Sequence, residues 1–128
     1  MYPHDGRKKT AMKRPLAYIT AAWTGNCREN RDNAAKYCRQ VYDAGYSPIC
    51  PMLIHATFLT DSIPQEHKDG LDMARDYLRR SHVLVVCGDT VDETMKNDIA
   101  VAERLHITAT TLDGILTVKG QGRAKPCR

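Results

Sequence analysis

The stretch that decides the fold is residues 82–107, HVLVVCGDTVDETMKNDIAVAERLHI. It opens on His82 to Cys87, six residues of which five are apolar, with no polar alternation. A strand buried on both faces reads this way, and parallel sheets covered by helices bury their strands so. Gly88 ends the run. From Asp92 to Leu105 the period changes, with Met95, Ile99, Ala102 and Leu105 recurring at helical spacing as an inner stripe. Ile107 to Leu112 then reads as another strand. A strand, a helix and a strand in about thirty residues make a parallel crossover unit.

Working outward, Leu16 to Ala21 (LAYITA) predicts a first buried strand. Arg28 to Ala44 predicts a helix with Ala34, Cys38 and Val41 inward, closed by Gly45 as a C-cap. Tyr46 to Cys50 predicts a second strand, short or at an edge because of Pro48. Pro51 to Pro64 reads as an irregular connection, long enough to be a binding loop. Gln65 to Arg80 predicts a helix carrying Leu71, Ala74 and Leu78 on one face. Thr90 and Glu93 have the spacing of a capping box, and Asp92 is a second cap candidate. Ile115 to Val118 suggests a closing hairpin. The expected fold is α/β, a flavodoxin-like three-layer sandwich around a short parallel sheet.

The charge is unevenly spread over the 128 residues: +4 within 1–15, +4 within 119–128, and −4 between. The expected organisation is a basic disordered tail over 1–14, one domain over 15–118 and a basic tail over 119–128. An acidic body argues against nucleic acid as a partner. No window reaches the roughly 20 apolar residues of a membrane span. Arg7, Lys8 and Lys9 are followed by no apolar signal segment, so a cytoplasmic protein is expected. The five cysteines include no C-x-x-C pair, which suggests neither zinc nor a disulfide framework. Cys38, Cys50 and Cys87 read as small core hydrophobes. No P-loop, G-x-G-x-x-G or H-E-x-x-H is present, and neither a cofactor nor a metal is expected.

Open parallel sheets bind ligands beyond the carboxyl ends of their strands. Here those ends are Ala22 to Asn26, the segment after Cys50, and Gly88 to Asp92. They make Trp23, Thr24, Gly25, His55 and Gly88 binding candidates. Asp98, in the second turn of the helix that begins near Asp92, stands at the border of its apolar face. Burial would raise its pKa and the helix dipole lower it. A carboxylate so placed can act as a nucleophile on a sugar carbon; an ordinary surface aspartate near a helix start is the plainer alternative.

The segments YITAAWTGN at 18–26, SPICPMLIHATFLTD at 47–61, GLDMARDYLRRSHVLVVCGD at 70–89 and VDETMKNDIAVAERLHI at 91–107 together resemble the nucleoside 2-deoxyribosyltransferase-like superfamily, and more closely its small bacterial and phage members. The resemblance covers about residues 16–110. It implies cleavage of the N-glycosidic bond of a 2-deoxynucleoside, or base exchange, through a carboxylate nucleophile. Asp98, followed by Ile99, matches the family's nucleophile position; Asp92, six residues earlier, matches the base-contacting aspartate; Asp72 is nearest to an acidic substrate contact on the preceding helix. The resemblance also implies a homo-oligomer. Asp98 replaces the family's Glu and Thr94 its usual Gly. These replacements favour a second reading, a non-catalytic nucleoside- or nucleotide-binding module of the same fold. The acidic pair Asp92 and Glu93 predicts a preference for free nucleosides over 5′-monophosphates.

Overall fold

The computed structural model describes residues 13–23 and 27–123. Along the chain it forms β1 (Leu16–Ala21), α1 (Cys27–Asp43), β2 (Ser47–Ile49), α2 (Pro51–His55), α3 (Pro64–Arg79), β3 (Val83–Cys87), α4 (Glu93–Arg104), β4 (Thr108–Thr111) and α5 (Leu112–Arg123). The four strands make one sheet in the order β2-β1-β3-β4, and every pairing is parallel. This is a flavodoxin-like three-layer α/β fold.

The two central strands dictate the layering. Alternate residues of a strand face opposite sides, so Ala17 and Ile19 of β1 join Val85 and Cys87 of β3 on one face. There they pack with Ala34 and Val41 of α1 and Ile115 of α5. Tyr18 of β1 and Leu84 of β3 face the other way, onto Leu78 of α3 and Val101 and Ala102 of α4. Both faces are apolar because both are covered, which is why β3 reads as a continuous apolar run. β2 lies at the edge, where Pro48 withholds no hydrogen bond that the sheet requires. Gly45 follows α1 at φ 102°, in the left-handed region that glycine occupies without cost.

Four expectations are corrected. The connection after Cys50 is not wholly irregular: Pro51 starts the short helix α2, since proline's fixed φ suits a first helical turn. The cap of α4 is Asp92, whose carboxylate accepts the Met95 amide; Thr90 lies two residues too early for a capping box. Leu71 and Leu105 are exposed, while Tyr77 and Val101 turn inward on the same helices. Finally, the segment expected as a hairpin is α5. Leu112, Ile115 and Leu116 face the core at helical spacing, and the helix runs to Arg123, past the expected start of the basic tail.

Residues 1–12 of the expected N-terminal tail lie outside the described residues. Arg14, the last of that tail, is fastened to the body. It donates to the carbonyls of Tyr42 (2.6 Å) and Tyr46 (3.1 Å), and its guanidinium lies over the Tyr42 ring. No described helix is long and apolar enough to cross a membrane.

Candidate functional site

From β1 the chain turns through α1 to β2 on one side; from β3 it turns through α4 to β4 on the other. The connections diverge at the carboxyl ends of β1 and β3, and a crevice opens between them. Different side chains line its two flanks.

On the α4 flank, Thr20 is buried and donates its hydroxyl to Asp98 Oδ2 at 2.8 Å. A polar residue in a strand covered on both faces needs such a partner. Asp98 is half-buried, and its pKa is pushed up to about 6. Burial is the main cause; Thr20's hydrogen bond and the Arg75 charge pull it down, and the Asp92 charge adds to the rise. Burial also drives the Tyr18 phenol, on the same face, well above its ordinary range, with the Asp98 charge next in weight.

Asp92 braces the crevice. Its Oδ1 accepts the Met95 amide at 3.0 Å, capping α4. Its Oδ2 accepts the Trp23 amide at 3.2 Å, tying the exit of β1 to the start of α4. One side chain thus fixes the strand end next to the helix that carries Asp98.

The α1 flank holds a cavity of about 340 Å³. It is lined by Ala21, Ala22, Glu29, Asn30, Asn33, Ala34, Tyr37, Cys87, Gly88, Asp89 and Thr90. Gly88 has φ +90°, and a Cβ there would stand 3.1 Å from the Tyr37 hydroxyl. Both the backbone angle and the close approach call for glycine. Burial pushes the Tyr37 phenol up, and the neighbouring Cys87 and Asp89 add to it. Cys87 is fully buried with its thiol raised to about 12, mainly by burial, as suits a core residue rather than a nucleophile.

Asp98, Asp92 and the Trp23 backbone are therefore brought together, and Gly88 lines the facing cavity. Thr24 and Gly25 lie outside the described residues. Asp72 stands apart: it is exposed on α3 and paired with Lys68 at 2.9 Å. Arg75, one turn further on, is the α3 residue whose charge reaches Asp98. His55 lies on α2 against Phe58 and Tyr77, and burial lowers its pKa. Sequence reasoning missed Thr20, Arg75, Asn33 and Tyr37. Thr20 had a readable signal, a hydroxyl between Ile19 and Ala21 in a strand with no solvent face. Arg75 had none, because its role comes from how α3 lies against α4. The described residues contain no group of His, Cys, Asp and Glu arranged to hold a metal ion.

Residues 15–112 match the family described as a domain of unknown function, DUF7768, and the chain belongs to that family. Among curated proteins no match is found.

Proposed function

We propose that the crevice binds a 2-deoxynucleoside and that Asp98 is the nucleophile for cleavage of its N-glycosidic bond, or for exchange of its base. The observation that carries this reading is the state of Asp98: a half-buried carboxylate with a pKa of about 6, at the carboxyl end of the sheet. Such a group is mostly ionised at neutral pH yet poorly solvated, which favours attack on an electron-poor carbon. Thr20 holds Oδ2 and so orients Oδ1. In the first step a carboxylate oxygen of Asp98 bonds to C1 of the sugar. The C1–N bond breaks, and its electron pair leaves with the base, which takes up a proton from solvent. In the second step water, or the ring nitrogen of another base, attacks C1 and gives up its proton to solvent. The ester bond breaks and the Asp98 carboxylate is restored, the two-step logic of retaining glycosidases. The same reading makes the protein a cytoplasmic homo-oligomer that acts on small molecules.

A second reading, a binding module without catalysis, is favoured by a different observation. Asp98 does not line the cavity on the α1 flank, and one of its oxygens is already engaged by Thr20. One experiment separates the two. Wild type and Asp98→Asn are incubated with 2-deoxynucleosides, and free base is followed by chromatography. Release by wild type alone supports the enzyme. Equal background release from both proteins leaves the binding module.

A further inference from the structure

Cys38, Cys50 and Cys87 are free thiols that meet in the apolar layer between α1 and the sheet. They arrive from three places: Cys38 from α1, Cys50 from the junction of β2 and α2, and Cys87 from the end of β3. α1 packs on both β2 and α2. Cys38 thereby meets Cys50, and their thiols are hydrogen-bonded to each other. The Cys87 thiol turns instead to the Val85 carbonyl, at 3.9 Å. We propose that Cys38 and Cys50 are a reversible redox pair, joined as a disulfide within the folded chain by hydrogen peroxide and parted again by small thiols. This chemistry stands apart from the nucleoside reading above.

Contact comes first. Sulfurs that already touch have only to close to the roughly 2 Å of a disulfide. The two thiols also divide the work. The hydrogen bond from Cys38 lowers the Cys50 pKa, against the effect of burial, and the same bond, then burial, raises that of Cys38. Cys50 is thus the sulfur that ionises first, and the thiolate is the form that attacks. Cys38 is half-buried while Cys50 and Cys87 are buried, so the way in from solvent passes Cys38. In the first step the Cys50 sulfur attacks one peroxide oxygen. The O–O bond breaks, and the departing hydroxide takes up the proton that Cys50 lost, giving water. Cys50 is left as a sulfenic acid. The Cys38 sulfur then attacks the Cys50 sulfur. The S–O bond breaks, and hydroxide leaves with the Cys38 proton as a second water. Two thiols have given up two electrons, and one peroxide has been reduced to two waters. Cys87 is spared, since burial pushes its thiol up to about 12.

The test is peptide mapping of the full chain after native treatment with excess hydrogen peroxide. Remaining thiols are blocked with iodoacetamide, and no reductant is present. Trypsin cuts after Lys36, Arg39 and Lys68, so Cys38 leaves in residues 37–39 and Cys50 in residues 40–68. We expect these two peptides joined as the main product, with a loss of two of the five thiols that dithiothreitol reverses. Chain unfolded in urea before treatment should give mixed pairings that include Cys27, Cys87 and Cys127. Survival of all thiols, a native product that joins Cys87, or native pairing no more selective than unfolded pairing overturns the proposal. Cys38→Ala tests the order of attack. Treated with peroxide and then unfolded into dimedone, which traps sulfenic acids, it should carry the label on Cys50. An unlabelled Cys50 overturns the first step.

Discussion

Asp72 and Asp98 are both aspartates on amphipathic helices that pack on the same face of the sheet, yet they live in different media. Asp72 is exposed and answers Lys68 one turn away on its own helix. Asp98 is half-buried and answers Thr20, 78 positions away on β1. An i,i+4 pair in water adjusts its geometry freely and is screened by salt. A carboxylate held against a strand can do neither, so burial shows in its pKa. The chemistry of an acid on a helix is therefore set by what the sheet offers opposite it.

The largest effect expected from this contrast is that of Asp98→Asn. Base release, if present, should fall to background. Stability should move the other way. The folded pKa of Asp98 is about 6 against an ordinary 3.8, so the folded protein binds this proton more tightly than the unfolded chain. That contribution is complete below pH 4, is lost as the pH rises toward 6, and is absent above. Two units correspond to at most ~3 kcal/mol. Denaturant melts at pH 4 and pH 7.5 should show a smaller acid-to-neutral loss in the variant than in wild type. An equal loss in both would mean that Asp98 is as well solvated as Asp72, and the contrast would collapse.

Thr20→Val tests the strand's share. It keeps the shape and removes the donor, leaving an ionised carboxylate short of a partner. Hydrogen bonds to charged groups are worth about 1.5–3 kcal/mol, and a loss in that range is expected at pH 7.5. The loss should shrink at pH 4, where Asp98 is neutral in both proteins. Because the hydroxyl holds the Asp98 pKa down, the carboxyl midpoint followed by carbon-13 NMR should rise. A midpoint that stays put would show that the hydroxyl does not stabilise the charge.

The same contrast marks how far the sequence could be read. The parallel sheet, its flanking helices and the position of Asp98 were legible because they follow from periodicity: two faces for a strand, one stripe for a helix. The helix α5 was not, since Leu112, Ile115 and Leu116 sit in too short a stretch between glycines and threonines for one period to stand out. Asp72 was named as the nearest acidic residue on the preceding helix, although nearness in sequence carries no information about which side of α3 meets α4. Likewise the cap of α4 was shared between Thr90 and Asp92, which only the backbone turn after Gly88 could separate. Asn33 and Tyr37 fall on the helix that sequence assigned to the core. Their place in the cavity wall appears only once Gly88 lies beneath the Tyr37 hydroxyl.

Arg75→Gln should have a smaller effect than Thr20→Val. The guanidinium is exposed and acts on Asp98 through its charge, with less weight than the hydroxyl. Removing it should raise the Asp98 midpoint modestly, and added salt should shrink the difference between variant and wild type. Salt should leave the Thr20→Val shift nearly intact, because a short hydrogen bond in a buried strand is not screened. Equal salt sensitivity of the two shifts would place both partners in the solvent and blur the line drawn between α3 and β1.

Asp72→Asn should have the smallest effect of all. Its carboxylate and the Lys68 ammonium are both largely exposed, and the pair lies within one helix, so it brings together no distant parts of the chain. Removing the charge frees Lys68 to the solvent that already surrounds it. Thermal melts of variant and wild type should coincide at low salt and at high salt, and nucleoside binding should be unchanged. The second half of that expectation carries more weight, because family position would make Asp72 a substrate contact while geometry gives it to Lys68. A variant that melts like wild type yet binds nucleosides tenfold less tightly would return Asp72 to the site. It would mean that Asp72 leaves Lys68 when a ligand arrives, and that α3 takes part in binding through more than the charge of Arg75.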